Sequence, residues 1–384
     1  MSRRILRTKL CDILDIEYPI LSAGMGPSMV GEKTGAPVEL VVAVSEAGGL
    51  GVLGAAGYSV DEMHDAIREI KKLTDKPFGV DLLLPDQIIR AGDAPEDGPG
   101  EMPLNDILKT LPEAHYNWMM NIKKEMRLPD IDLNVNLKST TLRPHAAIKV
   151  CIEESVPLFC SGLGNPGFMV GDARKAGMKV LGIAGNTKNV RRIAESGADL
   201  VVAQGHEGGG HTGRIGSLAL WPQAIDAASP TPVLAAGGIG DGRGLAAALA
   251  IGCVGVWVGT RFLASNEGGA LDVQKKTIVN ATDEDTRRSY LYTGKTSRVT
   301  YNRFHDLWET SGLDPLPFPT QVMVASAMNE MFVRAKREDY VGQFAGQVSG
   351  LIKEIKPASE ILNDMVEAAA DIIARKLSDT VIVK

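Results

Sequence analysis

Short apolar runs recur along the chain, most of them ending in glycine and followed by a stretch with apolar positions three to four residues apart. The pattern predicts strands near residues 20, 51, 80, 158, 181, 201, 234 and 256. Between them it predicts helices over 38–47, 61–73, 144–154, 168–175, 188–196 and 244–251. The segment 61–73 shows the helical period plainly: Met63, Ile67, Ile70 and Leu73 fall on one face, with Ser59 and Asp61 in place to cap it. Strands that alternate with helices imply parallel pairing. Eight such units predict an α/β fold, a TIM (β/α)8 barrel.

Two stretches break the rhythm. Residues 85–140 begin with a Pro-, Gly- and acid-rich excursion over 91–102, and helical patterning returns over 104–126 around Trp118. This reads as an insertion after the third strand, too long for a structureless loop, part of which is expected to pack on the barrel. Residues 265–384 read as mostly helical, and Ile361, Leu362, Met365, Val366, Ala369, Ile372 and Ile373 make one apolar stripe suited to packing on the barrel. The expected organisation is a barrel over 10–264 carrying the insertion, and a smaller helical C-terminal region over 265–384.

Composition narrows the partners. The chain has 384 residues, 44% apolar and 23% charged, enough for a large core. Its net charge is −6 with scattered basic residues, so neither a nucleic-acid stripe nor a polybasic membrane patch is expected. No apolar run approaches the ~20 residues of a membrane span. The basic N-terminus lacks the apolar core of a signal peptide. Cys11, Cys151, Cys160 and Cys253 have no metal-like spacing and read as buried free thiols, so the chain is expected to be cytoplasmic and without a metal. Cys160 ends a predicted strand, where it could border a site.

The chemistry concentrates after the sixth predicted strand. Leu200–Ala203 gives way to Gln204, Gly205, His206, Glu207, three glycines (Gly208, Gly209, Gly210) and His211. Strand ends that open into glycine-rich loops are where α/β folds build their sites. Bare backbone lets a planar ligand approach closely, and a histidine beside it titrates near neutral pH. His211 could take a proton from carbon, hold an anion as imidazolium, or merely orient the loop. Glu207 reads as a loop-fixing residue. Two further glycine turns, Gly237-Gly238-Ile239-Gly240 and Gly259-Thr260, follow the last two strands, where barrels hold phosphate on backbone N–H groups. A dinucleotide fold is the competing reading of Gly238-x-Gly240-x-Gly242, but the full spacing is lacking. These turns together suggest a phosphorylated planar cofactor.

The stretch 204–213 resembles the signature loop of the nitronate monooxygenase family of FMN-dependent TIM barrels, with Gly208 at a position usually alanine. The resemblance covers residues of about 10–265 and some of the tail. It implies FMN as cofactor, with Ala23, Gly24 and Met25 at the turn over the ring and Gln204, Gly209 and Gly210 as further contacts. Gly238, Trp257, Val258, Gly259 and Thr260 are implied on the phosphate side, where the glycine turn itself adds Gly237, and His211 is implied as the catalytic residue. Gly79-Val80-Asp81-Leu82 matches a segment usually Gly-Val-Asn-Leu, whose asparagine contacts the cofactor. The aspartate Asp81 donates no hydrogen bond there unless protonated. Asn302-Arg303-Phe304, Trp308-Glu309, Leu316 to Pro319 and Gly346-Gln347 resemble long bacterial members. The implied activity is oxidation of an alkyl nitronate by O2 to a carbonyl compound and nitrite. The same loop occurs in flavin-type enoyl reductases and quinone reductases. That leaves an NAD(P)H-dependent reductase of enoyl thioesters or CoA-linked cyclic substrates as the alternative, and a non-catalytic flavin-binding protein as the third reading. Expected partners are a small-molecule substrate with O2 or NAD(P)H. The pattern sets no oligomeric state.

Overall fold

The computed structural model describes residues 6–27 and 34–382. All eight predicted strands form: β1 (Ile20–Ser22), β2 (Gly51–Gly54), β3 (Phe78–Leu83), β4 (Leu158–Gly162), β5 (Lys179–Ala184), β6 (Leu200–Gln204), β7 (Val233–Ala236) and β8 (Gly255–Val258). Each pairs in parallel with its sequence neighbour from β2 to β8, and β8 pairs with β1. A parallel bridge of Leu21 to Leu50 closes the ring, so the chain forms a TIM barrel.

The runs are apolar throughout because both strand faces are buried. Leu21, Val52, Leu158, Leu181, Val202 and Leu234 point into the barrel, and Ile20, Leu53, Val80, Phe159, Val201 and Val256 point out under the helices. A helix that the periodicity did not reveal, Lys9–Leu14, is capped by Thr8 and lays Leu10, Cys11 and Leu14 against the interior residues. Leu10 reaches Gly255 at the N-terminal end of β8, so this short helix plugs the bottom of the barrel.

The surrounding helices are α1 (Val38–Glu46), α2 (Val60–Leu73), α3 (Pro144–Glu153), α4 (Val170–Lys175), α5 (Thr187–Glu195), α6 (Ser217–Ala228), α7 (Gly242–Ile251) and α8 (Ala358–Asp371). Ser59 caps α2 as expected, with Glu62 rather than Asp61 completing a reciprocal box. Helix α6 was absent from the periodic reading. Its Pro222 and its polar start at Ser217 mask a face that nevertheless buries Leu220, Trp221 and Ala224. Helix α8 lies between α7 and α1 and is the eighth helix of the barrel, reached only after a long excursion from β8. The apolar stripe accounts for this: Ile361, Leu362, Met365, Val366 and Ala369 are buried there, whereas Ile373 is exposed.

The insertion and the excursion build a second hydrophobic cluster together. Helix Glu113–Met126 of the insertion meets Arg303–Ser311 and Thr320–Arg334 of the tail. Trp118 stacks on Phe304 and meets Trp308 edge-on at 5.4 Å between ring centres. Thus the helical part of the insertion packs on the tail, and its end ties to the barrel through Thr140 and Thr141, which donate to the carbonyls of Ala55 and Ala56. The tail is not wholly helical: Thr286–Ser289 and Ser297–Thr300 form an antiparallel hairpin. All four cysteines are buried and free. Among the described residues no helix is long and apolar enough to cross a membrane.

Helix α7 is capped by Asp241, and its first residue is Gly242, over which α8 passes directly: a Cβ there would sit 2.6 Å from the backbone of Met365 and of Ala369. Gly242→Ala is therefore expected to push α8 off the barrel and to cost about 1–3 kcal/mol. A thermal melt of the variant that matches the wild type would show that this crossing is not close.

Candidate active site

The C-terminal ends of the strands and the insertion–tail layer enclose a cavity of ≈ 1240 Å³. Ala23, Gly24, Met25, Asp81, Gln204, Gly209, Gly210, His211, Gly237, Gly238, Trp257, Gly259 and Thr260 all line it. Val258 does not. It alternates with Trp257 along β8, so its side chain is buried on the outer face among the helices. Cys160 lies in the barrel interior and also stays out of the cavity lining.

The glycine loop after β6 is held from both sides. Gln204 ends the strand and its Nε2 donates to the carbonyl of His211 at 2.9 Å. Glu207 turns away and accepts from the backbone N–H of Ser217 at 2.9 Å and from its hydroxyl at 2.9 Å. A carboxylate at the start of α6 offsets the helix dipole, so Glu207 fixes the loop as expected. His206 faces away from the cavity, where Arg298 donates to its carbonyl at 2.9 Å and contacts its Nδ1 at 3.2 Å. The tail supplies the other side. Gln347 donates its N–H to the Glu207 carbonyl at 2.9 Å, and Ala345 lies so close that a Cβ on Gly209 would come within 2.7 Å of its backbone. Gly346 donates to Thr260 Oγ1 at 3.0 Å, linking this tail segment to the turn after β8.

His211 sits on a two-residue strand, Gly210–His211, that pairs antiparallel with the tail hairpin, His211 opposite Ser297 and Gly210 opposite Arg298. Its Nε2 lies 3.1 Å from Thr293 Oγ1. The Thr293 hydroxyl donates to the Lys295 carbonyl at 3.0 Å and accepts the Lys295 N–H at 3.2 Å. With its single proton so used, the hydroxyl accepts from His211, which places the imidazole proton on Nε2 and leaves Nδ1 a free lone pair. Burial, and secondly the Lys295 charge, push the imidazole down to about 4, so His211 is neutral at pH 7. Phe318 meets the ring edge-on at 6.1 Å.

Across the cavity, Asp81 is packed so tightly against Gly24 that a Cβ on that glycine would lie 2.2 Å from its own. Its Oδ1 is buried without a hydrogen-bond partner. Burial pushes this carboxyl up to about 8, against a weaker pull from the Gly162 backbone N–H, so it is largely protonated at pH 7. The objection that an aspartate cannot donate falls away with the proton in place. Bare glycine faces complete the cradle. Gly210 (φ 70) has nothing within 4 Å of a Cβ position, and the nearest atom to that of Gly238 (φ 73) is 3.6 Å away.

Thr293, Lys295 and Tyr292 also line the cavity, and local pattern singled out none of them. The tail segments containing Phe318, Pro319 and Gly346 did carry a signal, and all three residues line the cavity. Among the described residues no group of three His, Cys, Asp or Glu side chains is placed to hold a metal.

The raised carboxyl of Asp81 has a consequence for stability. The folded state holds this proton more tightly than the unfolded chain does, so its contribution is full near pH 4 and is lost as pH rises toward about 8. Asp81→Asn removes the dependence. The melting temperature of the wild type is expected to fall relative to that of the variant between pH 5 and pH 8. A constant difference across that range would show that Asp81 is ionised throughout.

Comparison with known proteins agrees with this geometry. The sequence model described as nitronate monooxygenase matches residues 7–368. A "Probable nitronate monooxygenase" of Staphylococcus saprophyticus is 30% identical over 385 residues, covering 96% of this chain and 99% of its own. Among solved structures, FabK from Thermotoga maritima is 31% identical with a TM-score of 0.73, covering 98% of this chain and 100% of its own. The nitroalkane oxidase from Streptomyces ansochromogenes is 27% identical with a TM-score of 0.76, covering 95% and 99%. A barrel whose strand ends carry this glycine loop and histidine, matched over nearly its full length, is an oxidoreductase and belongs to the nitronate monooxygenase family.

Proposed function

We propose that the protein is an FMN-dependent oxidoreductase that oxidises alkyl nitronates with O2 to a carbonyl compound and nitrite. The observation that carries this reading is the neutral imidazole of His211, its Nδ1 lone pair free, set in one cavity with the bare glycine faces. The residues fit a phosphorylated planar ring. Ala23, Gly24 and Met25 form a turn too close to Asp81 for any side chain at Gly24, suited to lie against the ring. Protonated Asp81 offers an O–H, and Gln204, Gly209 and Gly210 offer backbone and amide groups at its edge. Gly237, Gly238, Gly259 and Thr260 offer the phosphate backbone N–H groups, with Trp257 and Val258 preceding them on β8. Bound there, FMN would accept electrons from the substrate and pass them to O2.

The chain's own residues handle the proton and the enclosure. Where the substrate arrives as the neutral nitroalkane, His211 takes its α-proton on Nδ1 and so generates the nitronate, while its Nε2–H stays on Thr293. The insertion and tail form a wall of the cavity over the strand ends. We take the barrel over 10–264 together with α8 as the catalytic body, and the insertion of about 85–140 with most of 265–384 as its cover.

The cavity favours a second reading, an NAD(P)H-dependent reductase of enoyl thioesters or CoA-linked cyclic substrates. It continues outward to Glu101 and Asn134–Asn136 of the insertion, leaving room beyond a flavin ring. Anaerobic stopped flow separates the two. Bleaching of the flavin by ethyl nitronate but not by NADH or NADPH is expected, and the reverse result would establish the reductase. For the positioning of His211, Thr293→Val is expected to lower kcat with nitroethane about 10-fold while leaving the KM for ethyl nitronate within about 2-fold. Equal loss on both substrates would mean the hydroxyl only supports packing.

A further inference from the structure

The tail hairpin carries a charge that has no partner among the described residues. Lys295 is half-buried and lines the cavity beside His211. Its Nζ stands 5.2 Å over the centre of Phe318, the ring that also meets His211 edge-on at 6.1 Å. Among the described residues its ammonium makes no ion pair and no hydrogen bond. The acidic side chains of the cavity are Asp81 on β3 and Glu62, Asp86 and Glu101 in the chain after β2 and β3, and none of them pairs with Lys295. A partly desolvated ammonium that faces a cavity without a counter-charge is placed to pair with an anionic ligand.

His211 cannot supply that counter-ion function. Its imidazole is neutral, with Nε2–H committed to Thr293, so it can accept a proton but presents no net charge to an anion. The two groups divide the work that a single imidazolium would otherwise do.

We propose that Lys295 is the anion-holding residue of the active site, pairing with the negatively charged oxygens of a nitronate while His211 serves as the proton acceptor. This deepens the nitronate reading and rests on it. With a nitroalkane, the α-C–H bond breaks, the proton goes to His211 Nδ1, and the electron pair moves onto the nitro oxygens facing the ammonium. With a preformed nitronate, the pairing operates from the moment of binding. Lys295 is thereby a specificity-determining residue, favouring the anionic form of the substrate over its neutral acid.

The test titrates the FMN-loaded protein with nitrate, a planar oxyanion that donates no electrons, and follows the flavin absorbance. Nitrate is expected to perturb the wild-type spectrum saturably. In Lys295→Met, which keeps an apolar chain over Phe318, the nitrate Kd is expected to rise about 10–100-fold, and in Lys295→Arg to stay within about 5-fold of wild type. The KM for ethyl nitronate should rise in Lys295→Met by a similar factor, with kcat changed far less and FMN content unchanged. Nitrate binding equal in Lys295→Met and wild type, or absent from the wild type, overturns the proposal. So does loss of FMN from Lys295→Met, which would make the residue a cofactor ligand. If ethyl nitronate fails to reduce the wild-type flavin while nitrate binding follows the expected order, the nitronate reading falls and the anion site at Lys295 stands.

Discussion

Two backbone pairings hold the site together: His211 opposite Ser297 and Gly210 opposite Arg298. Three successive glycines give this loop more conformational freedom to lose than other residues there would. Left to itself it would not hold an imidazole in one orientation. The tail hairpin adds a strand to it, Ala345 fills the space a side chain would take at Gly209, and Gln347 ties down the Glu207 carbonyl. The glycines leave backbone bare toward the cavity while the tail removes the freedom that bareness would bring.

This explains why the chain leaves the barrel before its eighth helix. The excursion between β8 and α8 supplies Thr293, Lys295, Phe318 and Gly346, all of which line the cavity. It is anchored at both ends, by β8 in the ring and by α8 wedged between α7 and α1. The insertion after β3 makes this cover stable, since Trp118 and its neighbours give the tail helices an apolar surface to bury. The two segments share one apolar cluster, and the tail adds a smaller one of its own around Ile278 and Ile352.

Burial does the electrostatic tuning. Asp81 and His211 stand in the same cavity, and both are held neutral at pH 7 by loss of water, the acid raised and the base lowered. Lys295 shifts the same way, lowered by burial. Around the glycine loop the cavity therefore sets a protonated acid at Asp81, a free base at His211 and an ammonium at Lys295 with no partner among the described residues, a set of states that the residue types alone do not specify.

The barrel was legible because its cause is local. Each strand is buried on both faces and each helix on one, so the apolar runs and the three-to-four spacing of segments such as 61–73 record their own environment. The glycine rim and His211 were legible for the same reason, since close approach demands glycine where it happens. Helix α6 was hidden by Pro222 and a polar start, and Lys9–Leu14 by its shortness. What the sequence could not disclose is which distant residues meet. The pairing of His211 with Ser297, the bond to Thr293, the charge of Lys295 beside it and the protonation of Asp81 arise only when segments far apart in the chain exclude water from a shared space. Desolvation belongs to that assembled volume and not to any stretch of residues, so only the tertiary structure could decide it.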